Sequence, residues 1–189
     1  MERKVIYFDK PGRDNTAACL QVVKDALDEN GYEHLVVATT TGDTGLLFSE
    51  ALKKRGVNLV IVTHSSGYKE PNILEMPPKV KETIESSGAK IYTGTMLTHS
   101  IETAFSSKFN GLYPTIIVAQ ALRRFGEGAK VCCEIVMMAV DGGLIPEGEE
   151  ILAVAGTARG ADSVMLLRSA ASKRFLDLKV LEILAKPRA

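Results

Sequence analysis

The seven residues Thr39-Thr40-Thr41-Gly42-Asp43-Thr44-Gly45 concentrate four hydroxyls and two glycines between an apolar run, His34 to Ala38, and a helical pattern, Leu46 to Arg55. A strand-to-helix turn of this composition offers backbone N–H groups, side-chain O–H groups and the positive end of a helix dipole at one point. Phosphate is the ligand that matches this chemistry best. Asp43 is the awkward member, because a carboxylate repels a phosphate; it suits a helix cap or an acceptor for a ligand hydroxyl. The plainer reading is that Thr41 or Asp43 caps the following helix and does nothing more.

Other chemistry-bearing residues are scattered along the chain. Gly156-Thr157-Ala158-Arg159-Gly160 reads as a hairpin loop whose arginine is either a solvated charge or a phosphate clamp. His64 follows an apolar run and opens the loop His64-Ser65-Ser66-Gly67-Tyr68. It is a general acid–base candidate, but the polar-plug reading is favoured because no carboxylate partner is identifiable to orient it. His99 carries the same ambiguity in the donor-rich loop that includes Thr95 and Met96. Glu134 stands four residues after Lys130, the spacing of a helical ion pair. No GK[ST] follows a glycine-rich loop, no GxGxxG follows a strand and no GxSxG is present, which removes the corresponding nucleotide-binding and hydrolase motifs. Cys132 and Cys133 are neighbours, Cys19 is distant, and three histidines lie far apart, so neither a disulfide framework nor a zinc site is expected.

The elements that must position these residues follow from periodicity. Strands are expected at Lys4 to Phe8, His34 to Ala38, Asn58 to Thr63 and Lys90 to Thr93. Helices are expected around Cys19 to Leu27, Leu46 to Arg55, Pro77 to Ser86, Ile101 to Phe109 and Pro114 to Phe125. The first three strands and two helices read as two βαβ units, which places ligands beyond the carboxyl ends of a parallel sheet. Three polar loops leave that edge: Pro11 to Thr16, Thr39 to Gly45 and His64 to Tyr68. Ala129 to Val140 has strand-like composition, but Lys130, Glu134 and Asp141 share one helical face, so it reads as a buried helix with a thin polar stripe. Glu150 to Ala155, Ser163 to Leu167 and Lys179 to Leu184 read as strands in an antiparallel addition to the sheet, and Pro187 to Ala189 as a frayed end.

Length and composition agree with one domain over residues 1–189: hydrophobic residues make up 46% and charged residues 24%, ordinary for a globular chain. Lys and Arg number 23, as do Asp and Glu, and no basic cluster is interleaved with aromatics, so neither nucleic acid nor a membrane is an expected partner. The longest apolar runs are far short of a membrane span or a signal peptide's apolar region, and a cytoplasmic location is expected.

The order of pieces resembles the C-terminal domain of pyruvate kinase, in the run His34 to Gly45 with Asn58 to Thr63 and in Ile145 to Gly156. A closer resemblance covers nearly the whole chain. It is to stand-alone, largely archaeal proteins called pyruvate kinase α/β-domain-like, through Tyr7 to Thr16, Gly42-Asp43-Thr44, Met76-Pro77-Pro78, Lys130-Val131-Cys132, Gly143 to Pro146 and Arg159 to Asp162. The loop Leu97 to Glu102 departs from that group's small-residue pattern. The resemblance implies a three-layer α/β/α sandwich with a mainly parallel mixed sheet and antiparallel C-terminal strands. It also implies flavin mononucleotide (FMN) as a ligand. It does not imply kinase activity, since the catalytic barrel of pyruvate kinase has no counterpart here.

The expected site therefore gathers Asn15, Thr39, Thr40, Thr41, Gly42, Asp43, Thr44, His64, Ser65, Gly67, Thr95, Gly156, Arg159 and Gly160, with Tyr68, Met96 or Met76 available to cover a flat ring. The expected function is binding of a phosphorylated small molecule, FMN first, extending to a flavin-dependent oxidoreductase of open substrate. The alternative is a non-catalytic module that senses a sugar phosphate or nucleotide. A homo-oligomer is compatible with either.

Overall fold

The computed structural model describes residues 2 and 4–188. Seven strands form one sheet in the order β1-β7-β6-β5-β2-β3-β4: β1 (Ile6–Phe8), β2 (His34–Ala38), β3 (Asn58–Val62), β4 (Lys90–Tyr92), β5 (Glu150–Ala155), β6 (Ser163–Arg168) and β7 (Lys179–Pro187). The helices are α1 (Thr16–Asn30), α2 (Asp43–Leu52), α3 (Pro78–Ser86), α4 (Ile101–Phe109), α5 (Pro114–Leu122) and α6 (Glu127–Asp141).

The strands at the sheet centre are apolar on both faces, as a doubly covered parallel strand must be. Alternation decides which helix each residue meets. Leu35, Val37, Leu59, Ile61, Leu152 and Val154 pack with Val23 of α1, Phe48 of α2 and Ile84 of α3. Val36, Val60, Ile151, Ala153 and Ala155 pack with Cys132, Val136 and Ala139 of α6. The small Ala153 and Ala155 let α6 lie close to the sheet. Eleven of its residues are buried, including Lys130 and Glu134. The result is the expected three-layer α/β/α sandwich, with Ala129 to Val140 helical as its polar stripe required.

Strand order departs from the simplest reading of the sequence. β2 and β3 are parallel neighbours, but β1 pairs with β7 at the far edge and is separated from β2 by three strands. The first βαβ unit is thus a long crossover. The C-terminal strands join the sheet between β1 and β2. β5 lies beside β2, parallel to it. Only β6 is reversed, antiparallel to both β5 and β7. Local periodicity specifies strands but not their neighbours, because pairing over this separation leaves no mark on either segment. The expected frayed end is also corrected. β7 runs to Pro187 opposite Phe8, and the Arg188 N–H donates to the Phe8 carbonyl at 2.9 Å; Ala189 lies outside the described residues.

Register brings the loops together. Ala38 stands opposite Val62 and Val37 opposite Val154, so β2, β3 and β5 end at one level. Among the described residues, no helix is long and apolar enough to cross a membrane. The three cysteines are free and buried. Burial, with the Asp162 charge adding to it, pushes the Cys19 thiol up to about 12, which leaves it inert as a nucleophile.

Candidate functional site

Beyond the carboxyl ends of these strands lies a cleft of about 630 Å³. Its walls come from the loop after β1, the start of α2 with the strand end before it, the loops after β3 and β4, Arg123 after α5, the β5–β6 loop and one face of α6. The α6 face shows the helical repeat directly, since Glu127, Lys130, Val131, Glu134, Ile135 and Met138 all line it.

Asp162, fully buried, ties two of these walls. Its Oδ2 accepts from the Gly12 N–H at 2.8 Å and the Thr157 N–H at 3.0 Å, while Oδ1 accepts from Ser163 Oγ at 2.8 Å. Thr16 adds a second tie: its Oγ1 accepts from the Ala161 N–H at 3.0 Å and donates to the Arg13 carbonyl at 2.6 Å. The loop after β1 and the β5–β6 loop are thereby one unit, presenting Arg13 and Arg159 to the cleft. Neither guanidinium has an ion-pair or hydrogen-bond partner among the described residues.

The start of α2 is only partly capped. Gly42 takes φ 100° ahead of the first turn, so the N-cap residue has no side chain to bond that turn. Thr41 Oγ1 turns to Asp43 Oδ2 at 3.3 Å instead. Thr39 Oγ1 accepts from the Gly45 N–H at 3.3 Å. The amides of Thr40, Thr41, Gly42, Asp43 and Thr44 make no hydrogen bond among the described residues. Unfilled donors at a helix N-terminus attract an anion. Only a glycine fits position 42, because an added Cβ would meet Val80 Cγ1 at 2.4 Å on top of the left-handed φ.

Two ionised clusters complete the cleft. Lys130 Nζ donates to Glu134 Oε2 at 2.6 Å, and both side chains are almost wholly buried. Glu134 Oε1 accepts from the Thr98 N–H at 2.8 Å and from Thr98 Oγ1 at 2.7 Å. Burial favours protonation of Glu134, but the Lys130 ammonium and the Thr98 donors outweigh it and hold the carboxyl below its ordinary range. His99 is pushed below its ordinary value by burial, with the Lys130 charge adding to it.

On the opposite side, His64 Nδ1 meets Glu75 Oε2 at 2.7 Å, and His64 Nε2 lies 3.3 Å from Thr40 Oγ1. Lys69 Nζ pairs with Glu75 Oε1 at 2.6 Å. Burial raises the Glu75 carboxyl, yet the hydrogen bonds from Lys69 and His64 prevail and lower it overall. Tyr68 sits against the His64 ring at 4.4 Å between centroids and edge-on to His99 at 5.9 Å.

A model of the pyruvate kinase alpha/beta domain matches residues 17–167, most of the chain. The chain belongs to the pyruvate kinase alpha/beta domain family. Among solved structures, a pyruvate kinase from Cryptosporidium parvum is similar over 85% of this chain and 24% of its own, at 18% identity and TM-score 0.44. A hydrogen sulfide-producing enzyme from Fusobacterium nucleatum is similar over 51% of this chain and 28% of its own, at 24% identity and TM-score 0.32. The chain thus spans about a quarter of the length of the pyruvate kinase it matches.

Within this pyruvate kinase alpha/beta domain, Thr39, Thr40, Thr41, Asp43, Thr44, His64, Gly156, Arg159 and Gly160 line the cleft together. Asn15, Gly42, Ser65, Gly67 and Thr95 are not part of its lining. The Asn15 side-chain amide is spent on the Lys10 and Gly12 carbonyls. Gly42 backs onto α3, and the Gly67 N–H closes its own loop on the Ile73 carbonyl at 2.9 Å. Met76 belongs to the core beneath α2 and α3, whereas Met96 and Tyr68 line the cleft.

Sequence reasoning left His64 without a carboxylate; Glu75 supplies one from eleven residues on. Arg13, Lys69 and Arg123 were also missed. Arg13 and Lys69 sit in loops with no periodicity to orient them, whereas the i,i+4 pair of Arg123 with Glu127 was a readable signal.

Proposed function

We propose that the cleft binds a phosphorylated small molecule, with FMN as the first candidate. The observation that carries this reading is the run of unpartnered amides from Thr40 to Thr44 at the head of α2, all but Gly42 belonging to residues that line the cleft. It is reinforced by the unpaired Arg13 and Arg159 on the same cleft. A phosphate monoester supplies the acceptors and the negative charge that both groups lack.

The remaining lining suits a flavin. A cleft of about 630 Å³ falls within the range of roughly 300–1,000 Å³ for small-molecule sites. Thr39, Thr40, Thr44 and Asp43 offer hydroxyls and an acceptor to a ribityl chain. Val62, Met96, Ile135 and Met138 offer the apolar lining that a flat ring needs. FMN, when bound, supplies hydride and electron transfer. The chain's own contribution is proton handling: His64, oriented by Glu75, holds or releases a proton at Nε2, next to the Thr40 hydroxyl.

The amides would accept any phosphate monoester, so the regulatory alternative is separated by ligand choice. Thermal shift with FMN, riboflavin, sugar phosphates and nucleotides reads the true ligand as the largest rise in melting point. The proposal expects FMN to lead and riboflavin, which lacks the phosphate, to trail it. A sugar phosphate leading with FMN silent would favour a sensor, and silence across the panel would overturn phosphate binding altogether.

A further inference from the structure

Helices α4 and α5 stand apart from the core. No residue of α4 is buried, and Ala119 alone is buried in α5. Each is nine residues long, a length that is marginal for an isolated helix in water. α4 lacks the core packing that usually stabilises such a helix, and α5 meets the core only through Ala119 and Leu122. The outer surface of the two helices and the loop between them is nevertheless apolar: Ile101 is 73% exposed, Phe105 50%, Phe109 63%, Leu112 79% and Ile117 55%. On α4 the spacing is i, i+4, i+8, so three of these side chains form one stripe, with the Phe105 and Phe109 rings 5.8 Å apart.

We propose that this face is the contact between two copies of the chain, joined as an isologous dimer. The exposed area supports this. Two phenylalanines of about 150–250 Å² each and three somewhat smaller aliphatic side chains, half to four-fifths exposed, together present on the order of 500 Å² of apolar surface. That is the upper end of what a monomer leaves uncovered. It also matches the apolar share, roughly 65%, of the ~800 Å² that each partner buries in a standard homodimer contact.

The charge of this face supports it too. Residues 101–122 contain only Glu102 and Lys108 as charged groups. Glu102 is already spent on α5, accepting from the Thr115 N–H at 2.9 Å and from Thr115 Oγ1, and Lys108 lies 5.4 Å from the Phe109 ring. A nucleic acid or an anionic bilayer finds no basic face here. A second copy presents the same neutral, apolar stripe, and a twofold axis makes that surface complementary to itself. The loop into α4 carries Met96 and His99, and Arg123 follows α5; all three line the cleft, so the dimer contact would brace one of its walls.

The test is sedimentation velocity with light scattering on the full chain, and it is independent of any ligand. The expected native mass is at least two 20.4 kDa chains. Phe105→Glu with Phe109→Glu should bring it to that of a single chain while circular dichroism stays native. Should the double variant fail to fold, Leu112→Lys alone reads the same loss of mass. A native chain that stays at single-chain mass up to its solubility limit overturns the proposal, as does an assembly that folded variants leave intact.

Discussion

The most exposed test of the phosphate reading is a single guanidinium. Arg159 has no partner among the described residues, so its removal costs the fold little. A hydrogen bond to a charged group contributes roughly 1.5–3 kcal/mol, so Arg159→Ala should weaken FMN binding at least tenfold with the melting point of the unliganded protein unchanged. Isothermal titration and a thermal melt measure the two halves. Glu134 makes the opposite prediction. Glu134→Gln strands the buried Lys130 ammonium, and breaking such a pair costs about 3–5 kcal/mol, read as a fall in the urea midpoint. Lys130→Met with Glu134→Leu removes both charges and should recover most of that loss. The direction of the pH dependence follows from the same groups. Glu134 and Glu75 are held below the ordinary 4.5, so their stabilisation is complete above that value and is lost as pH falls through their folded values. His99 is held below 6.5, so stability also declines once pH drops under 6.5 and the unfolded chain takes up that proton first. Urea midpoints measured from pH 7 down to pH 4 should fall, and His99→Gln should flatten the upper part of the curve.

At the scale of elements, the site depends on two loops being held as one. Asp162 accepts backbone N–H groups from both. Asp162→Ala orphans Gly12, Thr157 and Ser163 at once, and at about 1–3 kcal/mol for an unsatisfied buried group it should lower stability by several kcal/mol. Asp162→Asn keeps one acceptor oxygen and should cost less; comparing the two in chemical denaturation checks the assignment. Most elements were legible beforehand for a physical reason: a buried strand or an amphipathic helix carries its period in its own residues. Thus α6, with its Lys130 and Glu134 stripe, could be told from a strand. The Thr39–Gly45 turn was legible as a strand-to-helix turn, and the structure adds that its N-cap is a glycine with no side chain to bond the first turn. What could not be read is pairing across the chain. Nothing in Ile6–Phe8 says that its neighbour is β7, and nothing in His64 says that Glu75 will return to it from a loop without period.

The whole molecule is a sandwich whose strands, all but β6 running one way, deliver their loops to a single edge. There, hydroxyls, bare amides and unpaired arginines share a cleft with an oriented histidine. Its neutral balance of charge gives no long-range pull on anions, so affinity must come from this local arrangement. On the proposed reading, the phosphate is therefore the handle by which the ligand is held. Paired titrations of the purified protein with FMN and riboflavin, followed by quenching of flavin fluorescence, test it most directly. Tight binding of FMN, at least tenfold weaker binding of riboflavin, and loss of the difference in Thr41→Val with Arg159→Ala are the predicted results. Equal affinity for the two flavins, or no quenching by either, would contradict it.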